Sequence, residues 1–191
     1  MTVQEFLDWE DGTDTRYELI GGVLVAMAPP APAHGRLSTN LIEAIGPLLR
    51  HRRPCAAYTE AGIVRPDRND TCYVADIAVT CEPPGAEDRL IRDPVLIVEI
   101  LSPSTGRSDL QNKSSDYRRI PSVQEILLID STSIFAEVLR RQGEQWISEI
   151  VRGPGATLSL RSVALSVPMS ELYEGVPLPE APRGDGQSGR E

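Results

Sequence analysis

The sequence predicts an α/β domain: a mixed sheet flanked by helices, with an N-terminal hairpin and a C-terminal β extension. Three observations predict it. Val95-Leu96-Ile97-Val98 is apolar and largely β-branched without alternation, the pattern of a strand covered on both faces. Between His34 and Asp130 the segments read helix, strand, strand, strand, helix, strand, an order that points to a sheet with helices on its faces. A chain of 191 residues with 40% hydrophobic and 5% aromatic side chains can bury one aliphatic core. The expectation is a single domain over residues 1–175, followed by a Pro/Gly/Glu-rich disordered tail over 176–191.

Taken in order, Val3 to Trp9 reads as a short helix with Thr2 and Glu5 as its capping box, and Asp11-Gly12-Thr13-Asp14 breaks it. Tyr17–Ile20 and Val23–Met27 around Gly21-Gly22 give a hairpin signal, since the glycines tolerate the positive φ of a two-residue turn. Glu18 points away from Tyr17 and Leu19 by strand alternation, toward solvent or a pocket. After the stiff connector Pro29–Pro32, His34–Arg50 carries an apolar stripe at Leu37, Leu41, Ile45 and Leu48 or Leu49, and Pro47 should kink or shorten that helix. Cys55–Arg65 and Tyr73–Thr80 read as strands joined by a polar turn at 66–70. Ser102–Gly106 forms a corner, and Ser108 with Gln111 marks a capping box for a helix from Asp109 to Arg119. Val123–Asp130 is the next strand, Ile134–Arg141 and Gln145–Val151 form a second hairpin, and Pro168–Tyr173 closes with a helical turn.

Charge and cysteine usage narrow the function. The net charge of −9 argues against a simple nucleic-acid binder, but residues 1–15 carry −5 and residues 176–191 carry −1, which leaves the body at −3. Within the body, Arg50, Arg52 and Arg53, and separately Arg65 and Arg68, form basic groups that either contact phosphates or match a helix dipole. Cys55, Cys72 and Cys81 are odd in number and lack a C-x-x-C pair, which points to buried free thiols and not to structural zinc or a disulfide framework. No apolar run approaches the roughly 20 residues needed to cross a bilayer, and the acidic N-terminus lacks signal-peptide character, so the expected location is cytoplasmic and away from membranes.

Two acids interrupt apolar strands: Asp76 within Val74–Val79 and Glu99 after Val95–Val98. A carboxylate there must be paired, protonated or bound to metal, because an isolated charge in a low dielectric is costly. Lys113 is the only lysine among arginines, and an ammonium is compact and able to lose its proton where a guanidinium is not. It shares a helix face with Asp109 and Tyr117, so a plain Asp109–Lys113 helix pair is the competing explanation. His34 at its helix start is either a cap or surface residue or a ligand. If the two acid-bearing strands are neighbours, the carboxylates converge into a hard oxygen site for Mg²⁺ or Mn²⁺, with the ammonium close by to position a water or stabilise developing charge.

Tyr17-Glu18-Leu19-Ile20-x-Gly22, Ala28-Pro29-Pro30 before His34, Tyr73-x-x-Asp76-Ile77-x-Val79, Glu99-Ile100-Leu101-Ser102-Pro103-Ser104-Thr105 and Asp109-x-x-x-Lys113-x-x-x-Tyr117 together resemble the Uma-two family of restriction-endonuclease-like proteins, a bacterial branch of the PD-(D/E)XK superfamily. The resemblance runs from about Phe6 to Tyr173 and implies an α-β-β-β-α-β core. It also implies a metal-dependent endodeoxyribonuclease with Asp76 and Glu99 as catalytic metal ligands, the Ile100 carbonyl as a third ligand and Lys113 as the catalytic amine. Glu18, His34, Asp109 and Tyr117 are supporting residues by the same pattern, and a homodimer is a family-level expectation. Ala75 replaces the proline of the PD element. Leu101 occupies the place of the superfamily's strand lysine, so the role passes to Lys113 on the helix. Two alternatives to the nuclease remain: a catalytically inactive interaction or DNA-binding module on the same fold, and a scaffold in which Asp76 and Glu99 are salt-bridged to Arg16 or Arg107.

Overall fold

The computed structural model describes residues 1–102 and 107–179, the side chains of 107–111 excepted. An eight-stranded mixed sheet, in the order β2-β1-β4-β5-β6-β7-β8 with β3 also paired to β4, carries helices on its faces. The segments are α1 (Val3–Leu7), β1 (Tyr17–Ile20), β2 (Val23–Ala26), α2 (Pro32–Arg50), β3 (Ala56–Val64), β4 (Cys72–Thr80), β5 (Pro94–Leu101), α3 (Arg107–Tyr117), β6 (Glu125–Asp130), β7 (Phe135–Gln142) and β8 (Gln145–Arg152). A small hairpin of β9 (Thr157–Leu160) and β10 (Leu165–Pro168), followed by α4 (Met169–Leu172), completes the chain. The run from α2 to β6 is the α-β-β-β-α-β core, and β5 and β6 are its parallel pair, joined through α3 as a parallel connection requires.

Two apolar layers sandwich the sheet. On one face Leu37, Leu41, Ile45 and Leu49 of α2 meet Ile77, Val79, Leu96 and Val98, together with Leu158, Met169 and Leu172 from the C-terminal hairpin and α4. On the other face Tyr117, Ile120 and Val123 meet Ile97, Ile126 and Leu128. At ~25 cal/mol per Å², each fully buried Leu or Ile in these layers contributes about 1.5–3 kcal/mol. The N-terminal hairpin turns through Gly21 and Gly22 at φ 58° and 80°, which only glycine adopts without strain. Among the described residues no helix is long and apolar enough to cross a membrane.

Several expectations need correction. Pro47 does not end α2, which runs to Arg50; Pro47 lies on the exposed face, where water meets the carbonyl that its missing N–H leaves open. The helix expected from Asp109 already includes Arg107 and Ser108, so Ser108 is not its cap, and it ends at Tyr117; the side chains of Ser108, Asp109 and Gln111 lie outside the described residues. So does the corner at 103–106. The tail does not begin at Val176, which is buried in the α2-side cluster with Leu178 packed against it; residues 180–191 are not described. The β9–β10 hairpin adds to the expected elements: Thr157–Leu160 and Leu165–Pro168 do alternate, with Leu158, Leu160, Leu165 and Val167 buried, but each strand is only four residues long.

The largest correction concerns the cysteines. Cys55 and Cys81 flank the antiparallel pair Ala56–Thr80 and form a disulfide across β3 and β4, while Cys72 is free and buried. The odd count concealed a pair because sequence spacing does not reveal that the residues on either side of a ladder end face each other. Oxidised protein unfolded in guanidinium should therefore titrate with one thiol per chain, and reduced protein with three. Reduction should lower stability by about 3 kcal/mol, as expected for opening a loop of 26 residues. Three reactive thiols before reduction would refute the pairing.

Candidate active site

β4 and β5 are antiparallel up to the pair Ile77–Val98, and Asp76 and Glu99 are the next residue on each strand just past that last pair. The two acids thus come from neighbouring strands at the point where the ladder ends. Alternation breaks at Asp76. Ala75 packs into the α3-side layer and Ile77 into the α2-side layer, although residues two apart on a regular strand share a face. Opposite them β3 passes from Thr59–Ile77 to Ala61–Ala75 through Glu60, whose φ of 52° lies in the left-handed region. The register is the same on either side, so this is a local twist of the pair and not a bulge, and it accompanies the placing of the Asp76 carboxylate at the rim of the sheet. There Oδ1 lies 3.0 Å from His34 Nε2 at the start of α2, and Oδ2 accepts the Ile100 N–H at 2.6 Å. In a strand the N–H and C=O of one residue lean toward the same neighbour, so the Ile100 carbonyl opens onto the same gap.

β1 shares that edge of β4 further along, through Leu19–Cys72. Between β1 and β5 the Val74 N–H meets no strand and donates instead to Glu18 Oε1 at 2.8 Å. The same oxygen accepts from Lys113 Nζ at 2.7 Å, in a pair whose partners are 4% and 8% exposed. Lys113 Nζ also lies 5.7 Å from the centre of the Tyr73 ring. Tyr117, one turn along α3, donates its hydroxyl to Glu99 Oε1 at 2.6 Å. Arg65 Nη1 and the Tyr73 hydroxyl hold the two oxygens of Asp116 at 2.6 and 2.8 Å, which fastens the same helix turn.

Burial raises the Glu99 carboxyl to about 7; Lys113 opposes the shift, Asp76 adds to it, Tyr117 opposes it and Glu18 adds to it. Lys113 is thus close enough to act on Glu99 as well as on Glu18. Its hydrogen bond to the Asp76 carboxylate raises His34 above its usual range against the effect of burial, and Arg16 works in the opposite direction. Burial beside Glu99 lifts the Tyr117 hydroxyl well above the ordinary phenol range, so it stays a donor.

The structure therefore brings together Glu18, His34, Asp76, Glu99, Ile100, Lys113 and Tyr117. Lys113 pairs with Glu18; the competing Asp109 pair involves a side chain outside the described residues. Arg50, Arg52 and Arg53 stand at the opposite end of α2 from His34, about 24 Å away at ~1.5 Å rise per residue, and Arg52 donates to the Ser162 carbonyl. Arg65 and Arg68 do not form a phosphate-facing group, because Asp67, Asp116 and Asp70 hold their guanidinium groups. Arg16 pairs with Glu60 and not with Asp76 or Glu99; Arg107, the other arginine of the scaffold alternative, has a side chain outside the described residues. Two supports escaped the sequence reading, Asp116 and Tyr73. Asp116 lies three residues after Lys113 on the same helix face, the one signal that would have marked it.

An eight-stranded sheet with these acids at the mouth of its central strands is the architecture of a restriction-endonuclease-like protein. The chain belongs to the Uma2 family, described as "Putative restriction endonuclease", whose model matches residues 3–170. It is 27% identical over 179 residues to the uncharacterized protein slr1290 of Synechocystis, covering 92% of this chain and 93% of that one. It is 28% identical over 162 residues to sll1609 of the same organism, covering 83% and 91%. A crystal structure of "a putative nuclease belonging to DUF820" from Anabaena variabilis shares the fold, with a TM-score of 0.75 at 22% identity over 91% of this chain and 98% of that one.

A raised carboxyl has a definite sign in stability. Between the ordinary value of 4.5 and about 7, folded Glu99 keeps a proton that the unfolded chain has released. Its contribution is therefore full below 4.5 and lost as pH rises through 7. The raised His34 acts in the same direction above 6.5. Metal-free protein in EDTA should lose about 2–3 kcal/mol of stability between pH 5 and 8 in urea titrations. Glu99→Gln should flatten the slope below pH 7, and His34→Gln only its upper part. A slope identical in wild type and Glu99→Gln would refute this account of the buried acid.

Proposed function

We propose that this protein is a metal-dependent endodeoxyribonuclease that hydrolyses phosphodiester bonds by direct attack of water. The observation that carries the reading is that Asp76 and Glu99, each one residue past the last β4–β5 pair, adjoin one another beside a buried amine. The donor set fits a hard divalent cation. Glu99 is an acid whose carboxyl is raised by burial against the opposing effect of Lys113, Asp76 adjoins it and raises it further, and the Ile100 carbonyl opens onto the same gap. Among the described residues no three His, Cys, Asp or Glu side chains converge as a ready-made cage. Two acids and a carbonyl suit Mg²⁺ or Mn²⁺, which keep several waters and use few protein ligands. When bound, such an ion acidifies a coordinated water and stabilises a phosphoryl oxygen.

The chain's own groups have separable tasks. His34 and the Ile100 N–H hold the two oxygens of Asp76 and fix its plane, leaving lone pairs on each for a cation. Tyr117 orients Glu99 through Oε1. The Lys113 ammonium orients a water or stabilises the charge that builds on the scissile phosphate. DNA is the substrate in this reading, and its double-strand cleavage would use two copies of the chain.

The test is cleavage of plasmid, linear and branched DNA with Mg²⁺ or Mn²⁺, alongside calorimetric metal titration. Asp76→Ala and Glu99→Ala should abolish both metal binding and cleavage. Lys113→Met should keep metal binding and lower kcat by about 10²- to 10³-fold, the usual effect of removing one stabilising donor. Intact DNA together with no divalent-metal binding by the wild type would overturn the proposal. Weak metal affinity unchanged by Asp76→Ala would point instead to an inactive interaction module on the nuclease fold.

A further inference from the structure

We infer that Glu18 is the residue that positions the Lys113 amine, so that the N-terminal hairpin is a working part of the site and not an attachment to the α-β-β-β-α-β core. The inference rests on the nuclease reading for its catalytic meaning, but its geometry stands on its own. A lysine at position 101 would lie on β5 two residues after Glu99, on the same face as that acid. Leu101 holds that place and packs into the α3-side layer. The amine comes from α3 instead, on a four-carbon stem that carries about 2 kcal/mol of rotamer entropy, so a contact that fixes its tip bears directly on where it stands.

Glu18 meets the requirements of such an anchor. Its Oε1 accepts from Lys113 Nζ at 2.7 Å and from the Val74 N–H at 2.8 Å, so the main chain of β4 fixes the carboxylate that holds the amine. The hairpin that carries it is itself fastened to the start of β4. Leu19 pairs with Cys72, the Gly22 N–H donates to the Asp70 carbonyl at 2.7 Å, and the Gly21 N–H donates to Thr71 Oγ1 at 3.1 Å. Asp116, held by Arg65 and Tyr73, fixes the next turn of α3 on the same face. The amine is thus held at its tip by β1 and at its helix by Tyr73 of β4 and by Arg65, the residue that follows β3. Glu18 does not touch the reacting atoms and is a positioning residue. Its effect on catalysis should fall on kcat, because a displaced amine costs the transition state more than it costs substrate binding.

Because Lys113 is the only lysine in the chain, protein grown with lysine labelled at ¹⁵Nζ gives a single ammonium resonance. In wild type that signal should be protected from solvent exchange at neutral pH. Glu18→Leu should lose it. Glu18→Gln, which keeps a neutral acceptor for Val74 and carries the test if Glu18→Leu does not fold, should speed its exchange by about tenfold. In cleavage assays Glu18→Gln should lower kcat by about 10- to 100-fold with KM within about threefold, and Glu18→Asp should recover part of the loss. A companion enzyme with Leu101→Lys and Lys113→Leu, if active, should be indifferent to Glu18→Gln, since its amine would stand on the strand. An ammonium signal that Glu18→Gln leaves unchanged in folded protein would overturn the inference, as would equal loss of activity in the companion enzyme. A signal that responds as expected in a wild type that cleaves no DNA would uphold the anchor and defeat the nuclease reading alone.

Discussion

A carboxyl group buried in the middle of an apolar sheet is the constraint around which this molecule is arranged. Glu99 follows Val98 in a strand covered on both faces, and at 7% exposure it cannot reach enough water to stay charged cheaply. Tyr117 and Lys113 are its immediate answers, both delivered by α3, while Asp76 on the neighbouring β4 adds to the pressure on it to stay protonated. The dependence also runs in reverse. α3 has almost no apolar stripe, Tyr117 being its one fully buried apolar side chain among those described, so hydrophobic burial alone cannot dock it. It is held by polar contacts: Lys113 to Glu18, Asp116 to Arg65 and Tyr73, Tyr117 to Glu99. The site is therefore also the attachment of the helix, and its acids and amine cannot be varied as a detachable surface feature.

The break in β4 serves the same end. A regular strand would turn Asp76 fully to one layer and leave it unable to meet both the start of α2 and the Ile100 main chain. A residue in the left-handed region, such as Glu60, costs of order 1–3 kcal/mol and persists where the surroundings over-determine it. Here the paired strand and the two apolar layers on either side of the irregularity supply that constraint. The result is a carboxylate at the rim with each oxygen held by a different element, close to a second acid and to only one ammonium. Among the described side chains Glu18, Asp76 and, once it ionises, Glu99 outnumber Lys113 and His34, which is the electrostatic basis for reading the gap as a cation site.

How much of this was legible depended on whether the cause was local. The central strand, the glycine hairpin, the α2 stripe and the two strand-borne acids are local patterns and appear in the structure where the sequence placed them. Lys113 stood out because arginine fills every other basic position, but its partner did not, since Glu18 lies 95 residues away and joins it only through sheet order. The Cys55–Cys81 pairing, the Arg65–Asp116 contact and the His34–Asp76 contact are likewise products of register. Pro47 misled for another reason: the rule that proline breaks a helix assumes that the lost hydrogen bond matters, and on an exposed face water replaces it.

Moving the amine from strand to helix has a structural consequence beyond the site. A strand lysine is aimed by the pleat and by the ladder on both sides, whereas a helix lysine is aimed by whatever meets its tip. Once the amine is on α3, the residue that meets it must come from the open edge of β4, because β5 occupies the rest of that edge up to Ile77. Among the described residues it is β1, docked beside Cys72, that presents a side chain there through Glu18, while also satisfying the Val74 N–H that the splayed edge would otherwise leave unpaired. The hairpin, the apolar Leu101 on β5 and the single lysine of the chain are thus three aspects of one arrangement. A change to any of them has to be matched in the other two for the amine to stay beside the acids.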